Sequence, residues 1–184
     1  VIVKVSVDPF NNPLFKTVRY NMYKGPGILP ILLTLSPGYQ ITKWKYDKIA
    51  AYGSVLQRAY AMSRERAVYP GLSSHKGCNW MVAEWSNIAG FLPDASFLVT
   101  YNREPIGMVL SSKAPGQIGG RIHVVAVIPD HRRKNIGTNL VSRALYAFAG
   151  RNRPHSTLHI NRINRSGIKF YESLGFQING SALY

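Results

Sequence analysis

The stretch Arg121 to Thr138, RIHVVAVIPDHRRKNIGT, constrains this chain more than any other. It opens on strand formers, Ile122 to Ile128, which read as a strand buried on both faces. Pro129 lacks a backbone donor and stops the strand. A basic, turn-rich segment follows, Asp130 to Asn135, and then IGTNLVSRALYAFAG. There Ile136, Leu140, Val141, Ala144, Leu145 and Phe148 fall at helical spacing, and Gly150 closes the run. The unit is a strand, a tight basic loop and a helix start. Unpaired N–H groups and the dipole at a helix N-terminus attract anions. Arg132, Arg133 and Lys134 add charge at the same point. These residues predict a phosphate-bearing ligand held on backbone amides.

The loop also resembles a signature of the Gcn5-related N-acetyltransferases (GNAT). Its members carry a strand, then Arg or Gln, two residues, Gly, any residue, and Gly or Ala. Here Arg132, Asn135 and Gly137 stand at the marked positions. The first Gly is replaced by Asn135, the best substitute where positive φ is needed. A second match lies downstream in the right order. STLHINRINRSGIKFYESLGF, Ser156 to Phe176, resembles the family's fifth strand and fourth helix through Asn164, Gly167, Tyr171, Gly175 and Phe176.

That resemblance implies an α/β fold with a central, mixed, mostly antiparallel twisted sheet. The sheet would splay between the family's fourth and fifth strands, carry about four flanking helices and have an N-terminal extension. It implies acetyl-CoA as co-substrate and no metal. Val125, Ala126 and Val127 would bond the pantetheine arm through their backbone. Arg132, Arg133, Lys134, Asn135, Ile136, Gly137 and Thr138 would hold the pyrophosphate. Asn164 would contact the arm further along, or simply cap a helix. Tyr171 stands where many members carry the general acid, and a phenol can protonate a departing thiolate. Some members have a Glu base where this chain has Arg121, which cannot act as one. His123 resembles a His position of arylalkylamine acetyltransferases. His159 falls where ribosomal-protein alanine acetyltransferases have a Glu. Either imidazole titrates in the useful range.

The rest of the chain is read as follows. At 184 residues it fits one domain, 1–184, with residues 1–42 an extension plus first strand and 43–184 the core. Val1, Val3, Val5 and Val7 alternate as an edge strand; Phe15 to Tyr23 and Ile28 to Leu35 read as two more. Lys43 to Arg66 reads as one helix, with Tyr46, Ile49, Ala50, Gly53, Leu56 and Tyr60 as its apolar stripe. Asn79 to Ala89 reads as a shorter helix whose Trp80 and Trp85 are core aromatics. Around it the resemblance makes Tyr69, His75, Trp80, Glu84 and Trp85 candidate acceptor contacts, the two Trp reading first as core aromatics. Ser96 to Tyr101 and Ile106 to Ser112 form a hairpin. Thr157 to Asn161, Ser166 to Leu174 and Phe176 to Tyr184 follow as strand, helix and strand.

One cysteine, Cys78, excludes an internal disulfide and suits a reducing cytoplasm. The longest apolar run is too short to span a bilayer, so no membrane is expected. Net charge is +15, and from Arg121 to Lys169 ten Lys or Arg meet one acid, Asp130. Coenzyme A alone does not need ten cations. An anionic acceptor, an aminoacyl-tRNA or another nucleic acid would use the rest, or the face is merely solvated. Only eight acids in the chain argue against a polycationic acceptor and for a neutral or anionic amine. The extension would serve a homodimer or the acceptor. Two functions remain open: an acetyl-CoA-dependent N-acetyltransferase, or a catalytically degenerate module of the same fold binding acyl-CoA or nucleic acid.

Overall fold

The computed structural model describes residues 17–114, 116 and 119–183; the expected strand over Val1 to Val7 lies outside them. One seven-stranded sheet carries five helices. The strands are β1 (Val18–Lys24), β2 (Tyr39–Lys43), β3 (Phe97–Tyr101), β4 (Glu104–Lys113), β5 (Gly119–Val127), β6 (His155–Asn161) and β7 (Gln177–Leu183). The helices are α1 (Ile49–Tyr60), α2 (Glu65–Val68), α3 (His75–Asn87), α4 (Ile136–Gly150) and α5 (Arg165–Ser173). The sheet order is β2-β3-β4-β5-β6-β1-β7.

All neighbouring pairs are antiparallel except β5–β6. That parallel pairing runs only from Gly119–His155 to Ile122–Leu158. Against β4, the register of β5 slips between Leu110 and Ser111, which makes His123 an extra residue. A bulge adds local twist and bends its strand. It sits one residue beyond the last β5–β6 pair, so the bend and the parting of the strands coincide. The expected splay between the family's fourth and fifth strands is therefore the β5–β6 gap, one number later in chain order because of an extra strand.

That extra strand is β1. It lies between β6 and β7 and bonds to both, with Met22 opposite Leu158 on one side and Ile178 on the other. Residues 25–38 then carry the chain from this side of the sheet to its opposite edge, where β2 pairs with β3. Ile28 to Leu35 is not the expected strand: it pairs with no strand among the described residues, and Ile28 and Ile31 are 93% and 76% exposed. Pro30 removes a donor within it, and Gly25, Pro26 and Gly27 interrupt its approach.

The helix expected over Lys43 to Arg66 is three pieces. Trp44 continues the strand by donating its N–H to the Ser96 carbonyl at 2.8 Å. After α1 the Ser63 hydroxyl accepts the N–H of Glu65 at 3.1 Å, a local bond that competes with helix continuation. The buried face of α1 is Tyr52, Gly53, Val55, Leu56 and Ala59, while Tyr46 is largely exposed. A Cβ on Gly53 would collide with the Asn79 side chain and lie 3.1 Å from its Cα, so α1 and α3 approach closely there. The structure starts α3 four residues early, at His75, with Ser74 accepting the Gly77 N–H as its cap. Trp85 is buried as expected; Trp80 is half exposed and is not a core residue. Nor is β5 buried on both faces, for Arg121, His123, Val125 and Val127 are only partly covered. The β3–β4 turn places Asn102 and Arg103 at φ 48° and 72°, the left-handed pair that tight hairpins need.

Candidate active site

Val125, Ala126 and Val127 lie beyond the last β5–β6 pair. One edge of their backbone bonds to β4, opposite Val109, Met108 and Gly107. The other edge faces the gap, where an extended ligand could add as a strand. At the end of β5, Pro129–His131 form a single 3₁₀ turn, and the loop reaches α4. Arg133 and Asn135 sit at φ 61° and 60°. Left-handed residues in such a turn make a concavity of backbone N–H groups suited to an anion. The first helical bond of α4 runs from Asn139 N–H to the Asn135 carbonyl at 3.0 Å. The N–H groups of Ile136, Gly137 and Thr138 thus have no partner within the helix.

The side chains of the loop divide their work. Arg132 donates to the carbonyls of Val127 at 3.0 Å and Ala59 at 2.7 Å. It therefore braces the loop against β5 and the end of α1. Lys134 Nζ donates to the Asp130 carbonyl at 3.0 Å. Arg133 is exposed. Gly137 packs closely under α5, since a Cβ there would come within 3.3 Å of the Phe170 ring. Asn135 holds the position that the family fills with Gly, as its tolerance of positive φ predicts. Asn135→Gly should leave stability unchanged or slightly raised. Asn135→Val should lose about 1–2 kcal/mol, read from urea unfolding of the two variants.

Tyr171 is buried on α5, tilted against Phe170 and edge-on to Phe176. Burial, with the Glu65 carboxylate adding to it, holds its hydroxyl well above the ordinary range. Tyr60 is raised likewise, by burial first, then Glu65 and Tyr171, with Arg132 opposing. Asn164 caps α5 through Oδ1, which accepts the Gly167 N–H at 2.9 Å, and its Nδ2 donates to Glu65 Oε1 at 3.1 Å. Its side chain is thus engaged at both ends. Glu65 was not foreseen. Between Arg64 and Arg66 it reads as a surface acid, yet it is 8% exposed and lies among Tyr171, Tyr60, Asn164 and Arg19 of β1.

Burial raises the Glu65 carboxyl above its ordinary value, against lowering by the Asn164 bond and Arg19. A carboxyl raised on folding holds its proton more tightly in the native state. Its contribution is complete below the unfolded value, near 4.5, and is lost as pH rises through the folded value. The thermal midpoint of the wild type relative to Glu65→Gln should therefore fall as pH climbs from 4 through that range. A flat difference would refute the burial argument.

His123 and His159 stand one residue beyond the last β5–β6 pair, on the two diverging strands. Ser112 Oγ donates to the Lys113 carbonyl at 2.9 Å and lies 2.8 Å from His123 Nε2. When the serine proton serves the carbonyl, Nε2–H donates to the hydroxyl and Nδ1 is the basic atom of the neutral ring. Arg121 Nη2 donates to His159 Nδ1 at 2.8 Å, which places the His159 proton on Nε2. Of the other expected acceptor residues, Tyr69 is buried and His75 is exposed beside Asn79 Nδ2 at 3.3 Å. Cys78 is fully buried, and burial pushes its thiol up to about 11 despite Arg66. A thiol so placed is inert.

The sequence matches the acetyltransferase (GNAT) family over residues 58–176. The chain belongs to that family. It is 34% identical to N-alpha-acetyltransferase 30 of Xenopus laevis over 87 residues, 46% of this chain and 32% of that one. It thus spans about a third of that relative's length. The GCN5-related N-acetyltransferase of Sphaerobacter thermophilus superposes at a TM-score of 0.68 with 14% identity, covering 94% of this chain and 51% of that chain. The paia N-acetyltransferase of Thermoplasma acidophilum, solved in complex with coenzyme A, gives 0.59 with 20% identity, covering 77% and 91%. The GNAT fold expected from the two motifs is the fold observed, with five helices instead of about four. Among the described residues no helix is long and apolar enough to cross a membrane, and no three His, Cys, Asp or Glu cluster as metal ligands do.

Proposed function

We propose that this GNAT chain, residues 1–184 as one unit, transfers an acetyl group from acetyl-CoA directly to a primary amine. The observation that carries this is the open edge of Val125–Val127 leading into the Arg133–Thr138 turn at the start of α4. The donor set suits a pantetheine arm followed by a pyrophosphate: strand-like amides first, then a concavity of N–H groups with Arg133 beside it. Acetyl-CoA would bring a thioester, an acyl group already activated for transfer.

The residues then divide the remaining tasks. His123 Nδ1 takes the amine proton, directly or through water. His159 stands across the gap as the second candidate, and serves as a base only when Arg121 releases its Nδ1. The β5 backbone at the bulge offers an N–H to the developing oxyanion. Tyr171 stays protonated across the working pH range and so presents a hydroxyl donor to the leaving sulfur. Glu65 and Asn164 fix α2 and α5 around it.

Thermal stability with acetyl-CoA, CoA and ATP tests the reading. Ligand at a hundred times Kd should add about 2.7 kcal/mol, a rise of roughly 5–10 °C at this size. A clear shift with acetyl-CoA and a weaker one with ATP is expected. No shift with acetyl-CoA would remove the co-substrate and leave a fold that has lost its chemistry.

A further inference from the structure

A pocket of about 310 Å³ opens between the end of α3 and the adjoining parts of β4 and β5. Its polar lining is Ser112, Lys113, Arg121 and His123, and Ile88 and Ala89 supply an apolar wall. Among the described residues none that lines it is an acid. It reaches the parting of β5 and β6 at two points. His123 is the bulge residue, and Arg121 is bonded to His159 across the gap. Small-molecule sites begin at roughly this volume, and a few convergent polar groups fix their ligand.

We infer that this pocket is the acceptor site and that it takes a small primary amine that also carries a carboxylate or phosphate. The inference rests on the acetyl-transfer reading above. An amine binds as its ammonium ion in water, and a pocket of cations repels that charge. An anionic group on the same molecule reverses the sign of the attraction. It would anchor on Lys113 and Arg121, leaving the amine toward His123. The amine nitrogen then bonds to the thioester carbonyl carbon as the carbon–sulfur bond breaks. The electron pair leaves on sulfur. The ammonium gives one proton to His123 before attack, and His123 passes it to solvent. Tyr171 protonates the leaving sulfur, and the second proton shed by nitrogen restores Tyr171 through water, giving an amide, a thiol and one proton in solution. The +15 chain would also draw such an acceptor in.

Two matched pairs test this: phosphoethanolamine against ethanolamine, and glycine against glycinamide, each with saturating acetyl-CoA. Thiol release gives kcat/KM, and calorimetry gives acetyl-CoA binding independently. The anionic member of each pair should be favoured at least about tenfold. The larger of the two ratios tells phosphate from carboxylate. Lys113→Gln, at an exposed position, should raise KM for the anionic member about tenfold with kcat unchanged. Equal rates within both pairs, preference for the member lacking the anion, or no transfer to any of the four while acetyl-CoA binds would each overturn the inference. Failure of acetyl-CoA to bind would instead sink the acetyl-transfer reading beneath it.

Discussion

Tyr171→Phe is expected to lower turnover about a hundredfold or more, with acetyl-CoA affinity changed by less than about twofold. Phenylalanine keeps the ring that packs against Phe170 and Phe176, so the fold around it should hold. What is lost is one hydroxyl. In the native protein that hydroxyl is kept protonated by burial and by Glu65. A group that only filled space would tolerate the change, and turnover would be untouched. A proton donor to the leaving sulfur would not, because its bond strengthens as charge develops on sulfur. Single-turnover rates with saturating acetyl-CoA, set beside calorimetric affinities, separate the two. An unchanged rate would remove Tyr171 from the chemistry.

Met22→Ala should cost about 2–5 kcal/mol, out of all proportion to its place near one end of the described chain. Met22 is fully buried, and its strand is the only partner of β7 among the described residues. Loosening β1 therefore releases β7 and bares the flank of β6, where His159 stands. Ile28→Ala, a few residues on at a 93% exposed position, should stay within about 0.5 kcal/mol of wild type. Urea midpoints for the two variants check both figures. Equal losses would mean that β1 does not hold this part of the sheet.

The two motifs were legible because their physics is local. Pro129 ends a strand, Asn135 accepts positive φ, and a helix start gathers N–H groups whatever surrounds it. The cap on α5 was legible for the same reason, since Asn164 lies three residues before the N–H that it accepts. Local pattern failed where the partner was remote. Trp44 looked helical but belongs to an edge set by Ser96. Ile28 to Leu35 has strand composition and no strand partner among the described residues.

What the sequence by itself determined is the acetyltransferase family, the left-handed basic turn before α4 and the chain positions of the candidate site residues Tyr171, His123 and His159. Each follows from residues close together in sequence. Only the tertiary structure decided three further things. It placed β1 between β6 and β7, buried Glu65 beside Tyr171, and set Lys113, Arg121 and His123 around one pocket. Glu65 and Asn164 are 99 positions apart, so no local pattern could reveal their bond. Burial and the electrostatics that follow from it belong to the packed chain, where distant residues share one low-dielectric space.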